Sequence, residues 1–224
     1  MHIKKKCVVL LSGGLDSSAN LAFCREQDEP ILALTADYGQ RAAKQEIAAA
    51  KKLCDHFDIR HEVLNIQWLG ALGGSSLTES SRAVPQISRD KLDELATIQD
   101  TARSVWVPNR NGVLINAGAA YAERLEANWV VVGFNREEAV TFPDNSAAFL
   151  ESATQALQYS TQERVGVFCY TTDLNKVEIV QRLNLLGPPF PFEKLWSCYH
   201  GGERPCGVCE SCQRLSRAYA SGTS

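Results

Sequence analysis

The stretch Val8-Val9-Leu10-Leu11-Ser12-Gly13-Gly14-Leu15-Asp16-Ser17-Ser18 constrains this chain most. An apolar, β-branched run passes without a spacer into a glycine turn and then into a segment of helical period. Paired glycines remove the Cβ atoms that would keep a phosphate away from backbone N–H groups, and Ser17 and Ser18 open a helix whose dipole favours an anion. No lysine follows the glycines as it does in the GxxxxGK[ST] loop; Asp16 stands in the turn instead. A carboxylate beside a polyphosphate is repelled unless it holds Mg²⁺, so the turn points to ATP held through a metal-bridged pyrophosphate. An incidental Gly-Gly turn is the alternative.

The rest of the chain repeats this alternation. Strands are expected at 7–11, 31–36, 61–66, 129–133 and 166–170, and helices at 17–27, 42–57, 112–125, 147–160 and 175–186. Such a pattern makes βαβ units, hence an α/β fold with a parallel sheet. The alanine-rich, charged stretch from Lys44 to Lys52 reads as a solvated amphipathic helix. From Gln67 to Ser104 the period fades into Gly, Ser, Thr and scattered charge, which suggests a surface excursion near the active-site face. Gly187-Pro188-Pro189-Phe190-Pro191-Phe192 ends the last long helix and sets a boundary, with an ATP-binding domain over 1–190 and a small appendage over 191–224. The final residues, 220–224, are expected to fray.

Eight cysteines in 224 residues do not make a secreted disulfide scaffold, and four of them crowd the tail. Cys198, Cys206, Cys209 and Cys212 have the spacing C-x7-C-x2-C-x2-C, which suits a tetrahedral Zn²⁺ site closed to water and substrate. Such a site would staple a segment with little apolar surface. An iron–sulfur cluster on the same ligands, or no metal, are the alternatives. Cys7, Cys24, Cys54 and Cys169 have apolar neighbours and read as core. A formal charge of −3 gives no global basic footprint, so direct nucleic-acid binding is not expected. The opening apolar run is too short for a signal peptide, and no stretch is long enough to span a bilayer, so a cytoplasmic protein is expected.

The string Ser12-Gly13-Gly14-Leu15-Asp16-Ser17 resembles the SGGxDS signature of the PP-loop ATP pyrophosphatases, whose domain is Rossmann-like and of the adenine nucleotide alpha hydrolase type. With the C-terminal cysteine group, the chain resembles the 7-cyano-7-deazaguanine synthase family of the queuosine pathway, of QueC type. The likeness extends through Asp37-Tyr38-Gly39-Gln40-Arg41, Ser76-Leu77-Thr78, Val107-Pro108-Asn109-Arg110-Asn111, Gly133 with Asn135, Pro143-Asp144, Leu174-Asn175-Lys176-Val177-Glu178-Ile179 and Ser197-Cys198-Tyr199.

The resemblance implies conversion of 7-carboxy-7-deazaguanine and ammonia to the nitrile through an amide, with both the carboxylate and the amide activated by ATP, and it implies a homodimer. It places ATP on Leu11, Ser12, Gly13, Gly14, Leu15, Asp16, Ser17 and Ser18, with Asp16 also holding Mg²⁺. It gives Asp16, Arg110 and Lys176 catalytic roles, Asp144, Arg110 and Asn135 substrate contacts, and the four tail cysteines zinc. Read from residue type alone, Arg110 is as well a surface ion-pair residue and Asp144 a turn residue after Pro143. Lys176 near a helix start is unfavourable to the dipole, which makes a phosphate partner sensible. The loop from Ala139 to Ser146 lacks the Cys-Arg pair usual in the family, so either Arg136 or Arg164 substitutes for that arginine or the substrate differs. Two other readings follow: a related enzyme with a different acceptor, a protein or another carboxylate, and a PP-loop tRNA-modifying enzyme.

Overall fold

A computed structural model describes residues 3–222. Five strands, β1 (Lys6–Leu10), β2 (Glu29–Asp37), β3 (His61–Asn65), β4 (Trp129–Val131) and β5 (Gly166–Phe168), form one parallel sheet in the order β3-β2-β1-β4-β5. The expected strands are all present, β2 longer and β4 and β5 shorter than the sequence suggests.

Between and after them run α1 (Leu15–Gln27), α2 (Ala43–Phe57), α3 (Gln67–Ala71), α4 (Leu95–Val105), α5 (Arg110–Arg124), α6 (Arg136–Ala139), α7 (Ala147–Ser160), α8 (Lys176–Asn184) and α9 (Glu210–Gly222). Their starts have local causes. Ser146 caps α7 by accepting from the Phe149 N–H at 3.2 Å. Asn175 and Glu178 form a reciprocal capping box on α8, each accepting the other's backbone N–H. Asn109 precedes α5 in the left-handed region at φ 51°, a conformation asparagine tolerates.

Period-two alternation along β1 divides the core. Cys7, Val9 and Leu11 pack with α1, α2, α8 and α9, whereas Val8 packs with α5 and α7 on the opposite face. Cys7, Cys24, Cys54 and Cys169 are buried in these layers. The chain winds outward from β1 to β3 and returns past it to β4, so the strand order reverses between β1 and β4. In open α/β sheets the crevice outside the strand ends at such a reversal is the place for a ligand.

Two segments differ from the sequence reading. The excursion after β3 carries α3 and α4, and it ties to the tail through the Ile87 N–H, which donates to the Val208 carbonyl at 3.1 Å, and a bridge between Gln86 and Cys209. The tail is helical: α9 runs to a buried Gly222 and places Ala218, Leu215 and Tyr219 in the same core as α8, so 220–222 do not fray. Residues 223 and 224 lie outside the described residues. Among the described residues, no helix is long and apolar enough to cross a membrane.

Candidate active site

The turn from β1 to α1 sits at the strand-order reversal and lines a cleft of about 280 Å³. The Ser17 hydroxyl accepts from the Ser12 N–H at 3.1 Å and lies 3.0 Å from the Ser12 hydroxyl, which in turn accepts from the Gly14 N–H at 3.3 Å. These short links fix the loop without using the first amides of α1. Gly14 occupies the N-cap, and no side chain caps the helix. The unsatisfied N–H groups and the positive helix end are what a phosphate needs.

Two glycines are required sterically. Gly13 has φ +79°, and a Cβ there would lie 2.8 Å from Ala49 Cβ on α2. Gly133 follows β4, and a Cβ there would collide with the Ser17 backbone, so glycine lets the start of α1 approach the next strand.

Beside the loop, the Lys176 ammonium touches the Asp16 carboxylate and lies 2.9 Å from Glu138. Burial raises Asp16 above the ordinary carboxylate range, against the pull of Lys176. Burial acts on Glu138 in the same direction, but there the Lys176 charge and its hydrogen bond outweigh it and hold Glu138 low. Lys176 itself is raised: burial opposes its charge, and the two carboxylates more than compensate. The second Asp16 oxygen, Oδ1, is buried with no hydrogen-bond partner. An anionic oxygen left bare beside a phosphate-sized opening is a fit for Mg²⁺.

On the opposite wall, Arg110 extends over the Tyr38 ring, 5.7 Å from its centroid, and donates to the Tyr38 hydroxyl at 3.4 Å. Among the described residues no carboxylate lies within ion-pair distance of it. The surface ion-pair reading is therefore not the one this side chain takes, and its charge faces the cleft. Burial opposes the Arg110 charge, while Tyr38 and Asp144 favour it. Asp144 also lines the cleft; its Oδ1 accepts from the Asn145 amide at 3.2 Å, and burial raises its carboxyl.

The tail supplies a third wall: Trp196, Ser197, Tyr199, Glu210 and Arg214 line the cleft. The Trp196 N–H donates to the Gly13 carbonyl at 2.9 Å, and its indole Nε1 donates to the Cys198 carbonyl at 2.9 Å. The cysteine segment thereby braces the glycine turn. The Sγ atoms of Cys198, Cys206, Cys209 and Cys212 lie within 4.8 Å of one another. The N–H groups of His200 and Cys206 reach Cys198 Sγ at 3.4 Å, and that of Cys209 reaches Cys206 Sγ at 3.3 Å. Four convergent sulfurs with amides turned toward them fit a closed metal site.

Several expected residues stand elsewhere. Gly13 and Ser18 support the loop from behind the cleft wall, and Asn135 is fully buried, capping α6 by accepting from the Glu138 N–H at 3.0 Å. Neither candidate replacement arginine enters the cleft. Arg136 pairs with Glu178 at 2.9 Å, and Arg164 lies by the far edge of the sheet near Trp129 and Gly166. The arginines that do line it are Arg110 and Arg214, and Arg214 is held by Glu210 at 2.9 Å and Glu137 at 3.2 Å.

Glu46 belongs to the helix the sequence presents as solvated, yet it lines the cleft. Its place was legible: it falls four residues after Ala42 and three before Ala49, on the buried stripe of α2. Glu137, Glu138 and Arg214 lie in stretches whose charge alone gave no signal.

Comparison with known proteins adds a family. The model of the family described as queuosine biosynthesis protein QueC matches residues 6–222. A 7-cyano-7-deazaguanine synthase of Bdellovibrio bacteriovorus is 50% identical over 222 residues, spanning 99% of this chain and 95% of that protein. The proteins of the same name from Desulforamulus reducens and Methanosarcina mazei are 49% and 45% identical, each over 217 residues, 96% of this chain and 93% of the relative.

Proposed function

Because the chain belongs to the QueC family of queuosine biosynthesis proteins, we infer that it is an ATP-dependent enzyme that makes 7-cyano-7-deazaguanine. Its substrates in this reading are 7-carboxy-7-deazaguanine, ammonia and ATP. The assembly in this reading is a homodimer, on the resemblance alone, and its compartment the cytoplasm. The comparisons favour neither a different acceptor nor a tRNA-modifying enzyme.

The observation that carries the reading is the bare Asp16 Oδ1 beside the uncapped start of α1, facing the unpaired Arg110 across one cleft. The loop amides and Ser17 would receive the pyrophosphate, and Asp16 would hold Mg²⁺, which neutralises phosphate charge when bound. Arg110, as a rigid fork, would orient the substrate carboxylate or the α-phosphate. The carboxylate oxygen attacks the α-phosphorus, pyrophosphate leaves, and ammonia displaces AMP from the acyl carbon to give the amide. A second ATP adenylates the amide oxygen; loss of AMP and the remaining N–H proton then forms the C≡N bond. Lys176 lies where it can follow the phosphate charge that builds as pyrophosphate departs. Asp144 suits the N–H and amino edge of the base. The four cysteines would hold Zn²⁺ as a structural brace for Trp196 and the glycine turn, with no open position for chemistry.

The test is nucleobase-dependent release of pyrophosphate from ATP by the wild type and by Asp16→Asn. The wild type should release it only with the carboxylate present, and the variant should lose at least about a hundredfold in rate. Undiminished release by Asp16→Asn would remove the proposed metal ligand from the reaction.

A further inference from the structure

Six carboxylates line the cleft: Asp16, Glu46, Glu137, Glu138, Asp144 and Glu210. Four already face a cation. Asp16 and Glu138 share Lys176, and Glu137 and Glu210 share Arg214. Asp144 feels the Arg110 charge and accepts from its neighbour Asn145. Glu46 is different: no cation lies within ion-pair distance among the described residues, and its one hydrogen bond is a neutral one, from the Gln40 amide to Oε2 at 2.8 Å.

The other oxygen, Oε1, has no protein partner among the described residues. Glu46 lines the same cleft as Ser12, Gly14 and Asp16 of the phosphate loop and as Arg110, where the adenylate would form. Gln40 is itself pinned, donating to the Ala36 carbonyl at 3.0 Å and accepting from the Tyr38 N–H at 3.0 Å, so the Glu46 head is held by a rigid partner. The other charged or titratable groups facing it are Arg110 and Tyr38, and these engage each other. A carboxylate with a free oxygen lining the reaction cleft attracts a small cation with N–H donors.

We propose that Glu46 is the ammonium-binding residue and the base that releases ammonia at the reacting carbon. The proposal rests on the reading that this cleft amidates an adenylated carboxylate. Ammonium, like a lysine amine, is almost wholly protonated at neutral pH, and in that form its nitrogen has no lone pair. An N–H of ammonium donates to Glu46 Oε1 and its proton passes to the carboxylate, leaving ammonia and a carboxylic acid. The nitrogen lone pair then forms the C–N bond at the acyl carbon. As the C–O bond to the phosphate breaks, the adduct loses a second proton to the AMP phosphate. The products are amide and AMP, and Glu46 returns its proton to water. Burial raises Glu46, which narrows the proton-transfer gap to an amine.

The experiment compares wild type, Glu46→Gln and Glu46→Ala with ammonium and with hydroxylamine, which is largely a free base at neutral pH and needs no deprotonation. Exchange of labelled pyrophosphate into ATP with the nucleobase carboxylate reports adenylation separately. Glu46→Gln keeps an acceptor for Gln40 and removes the charge. The expected result is unchanged pyrophosphate exchange, near-normal hydroxamate formation and an ammonium-dependent kcat/KM down by about a hundredfold. Equal losses with ammonium and hydroxylamine, or a loss of exchange in a Glu46→Gln variant of wild-type thermal stability, would overturn the role and make Glu46 part of ATP binding. Absence of exchange in the wild type would instead count against the underlying amidation reading.

Discussion

Replacing Lys176 with methionine removes one charge from between two carboxylates while nearly keeping the side-chain volume. The lysine side chain is 10% exposed and Asp16 14%, and Glu138 lies at 2.9 Å. At that separation a unit pair interacts by roughly 6 kcal/mol at an effective dielectric near 20, before desolvation is subtracted. Removing one partner of a buried pair costs about 3–5 kcal/mol net, because the remaining charges stay buried without compensation. The sign with pH follows from the directions. In the wild type Glu138 is depressed, so its contribution is present above the unfolded carboxylate value and fades as pH falls through its folded value. Asp16 is raised, so its ionisation opposes folding as pH rises. In Lys176→Met both carboxylates move up, and the variant takes up a proton on folding at neutral pH. Its deficit should therefore grow with pH, by roughly 1.4 kcal/mol per unit for each proton held. Urea denaturation of both proteins at about pH 5 and about pH 7.5 measures the gap, which should be clearly larger at the higher pH. Parallel stability curves at the two pH values would refute the electrostatic argument and reduce Lys176 to packing.

Other outcomes follow from the same geometry. Cys209→Ser should lower bound metal and stability together, by at least about 2 kcal/mol, and should weaken ATP binding because Trp196 no longer braces Gly13; metal analysis, thermal melts and calorimetry check this. Gly13→Ala places a Cβ 2.8 Å from Ala49 at φ +79°, which should cost about 1–3 kcal/mol in denaturant melts and abolish pyrophosphate exchange. Asn175→Ala breaks the capping box of α8 and should cost about 1 kcal/mol, with a drop in kcat because Lys176 is the first residue of that helix; denaturation and steady-state kinetics check it.

The turn at Gly13 and the strand-helix alternation were legible because they depend on local rules: backbone freedom, period and the approach of an anion to a helix end. The cysteine cluster was legible for the same reason, since close spacing brings its ligands together almost without help from the fold. What was hidden depends on contacts between distant segments. The Glu138–Lys176 pair spans two elements, and nothing in Arg136-Glu137-Glu138 separates it from an exposed charged turn. Helix α9 has a clear apolar stripe, but the glycines and cysteines before it mask its period in the sequence. The excursion hid its order because 75–92 takes its shape by docking on Cys209 and Arg214, not from a period of its own.

The most direct test of the central claim is to incubate the purified protein with 7-carboxy-7-deazaguanine, ammonium and Mg-ATP, following the nucleobase by mass spectrometry and AMP in parallel. The account predicts the nitrile as product, a transient amide, and two AMP for each nitrile, one for each adenylation. AMP released without nitrile, or nitrile formed with a single AMP, would contradict it.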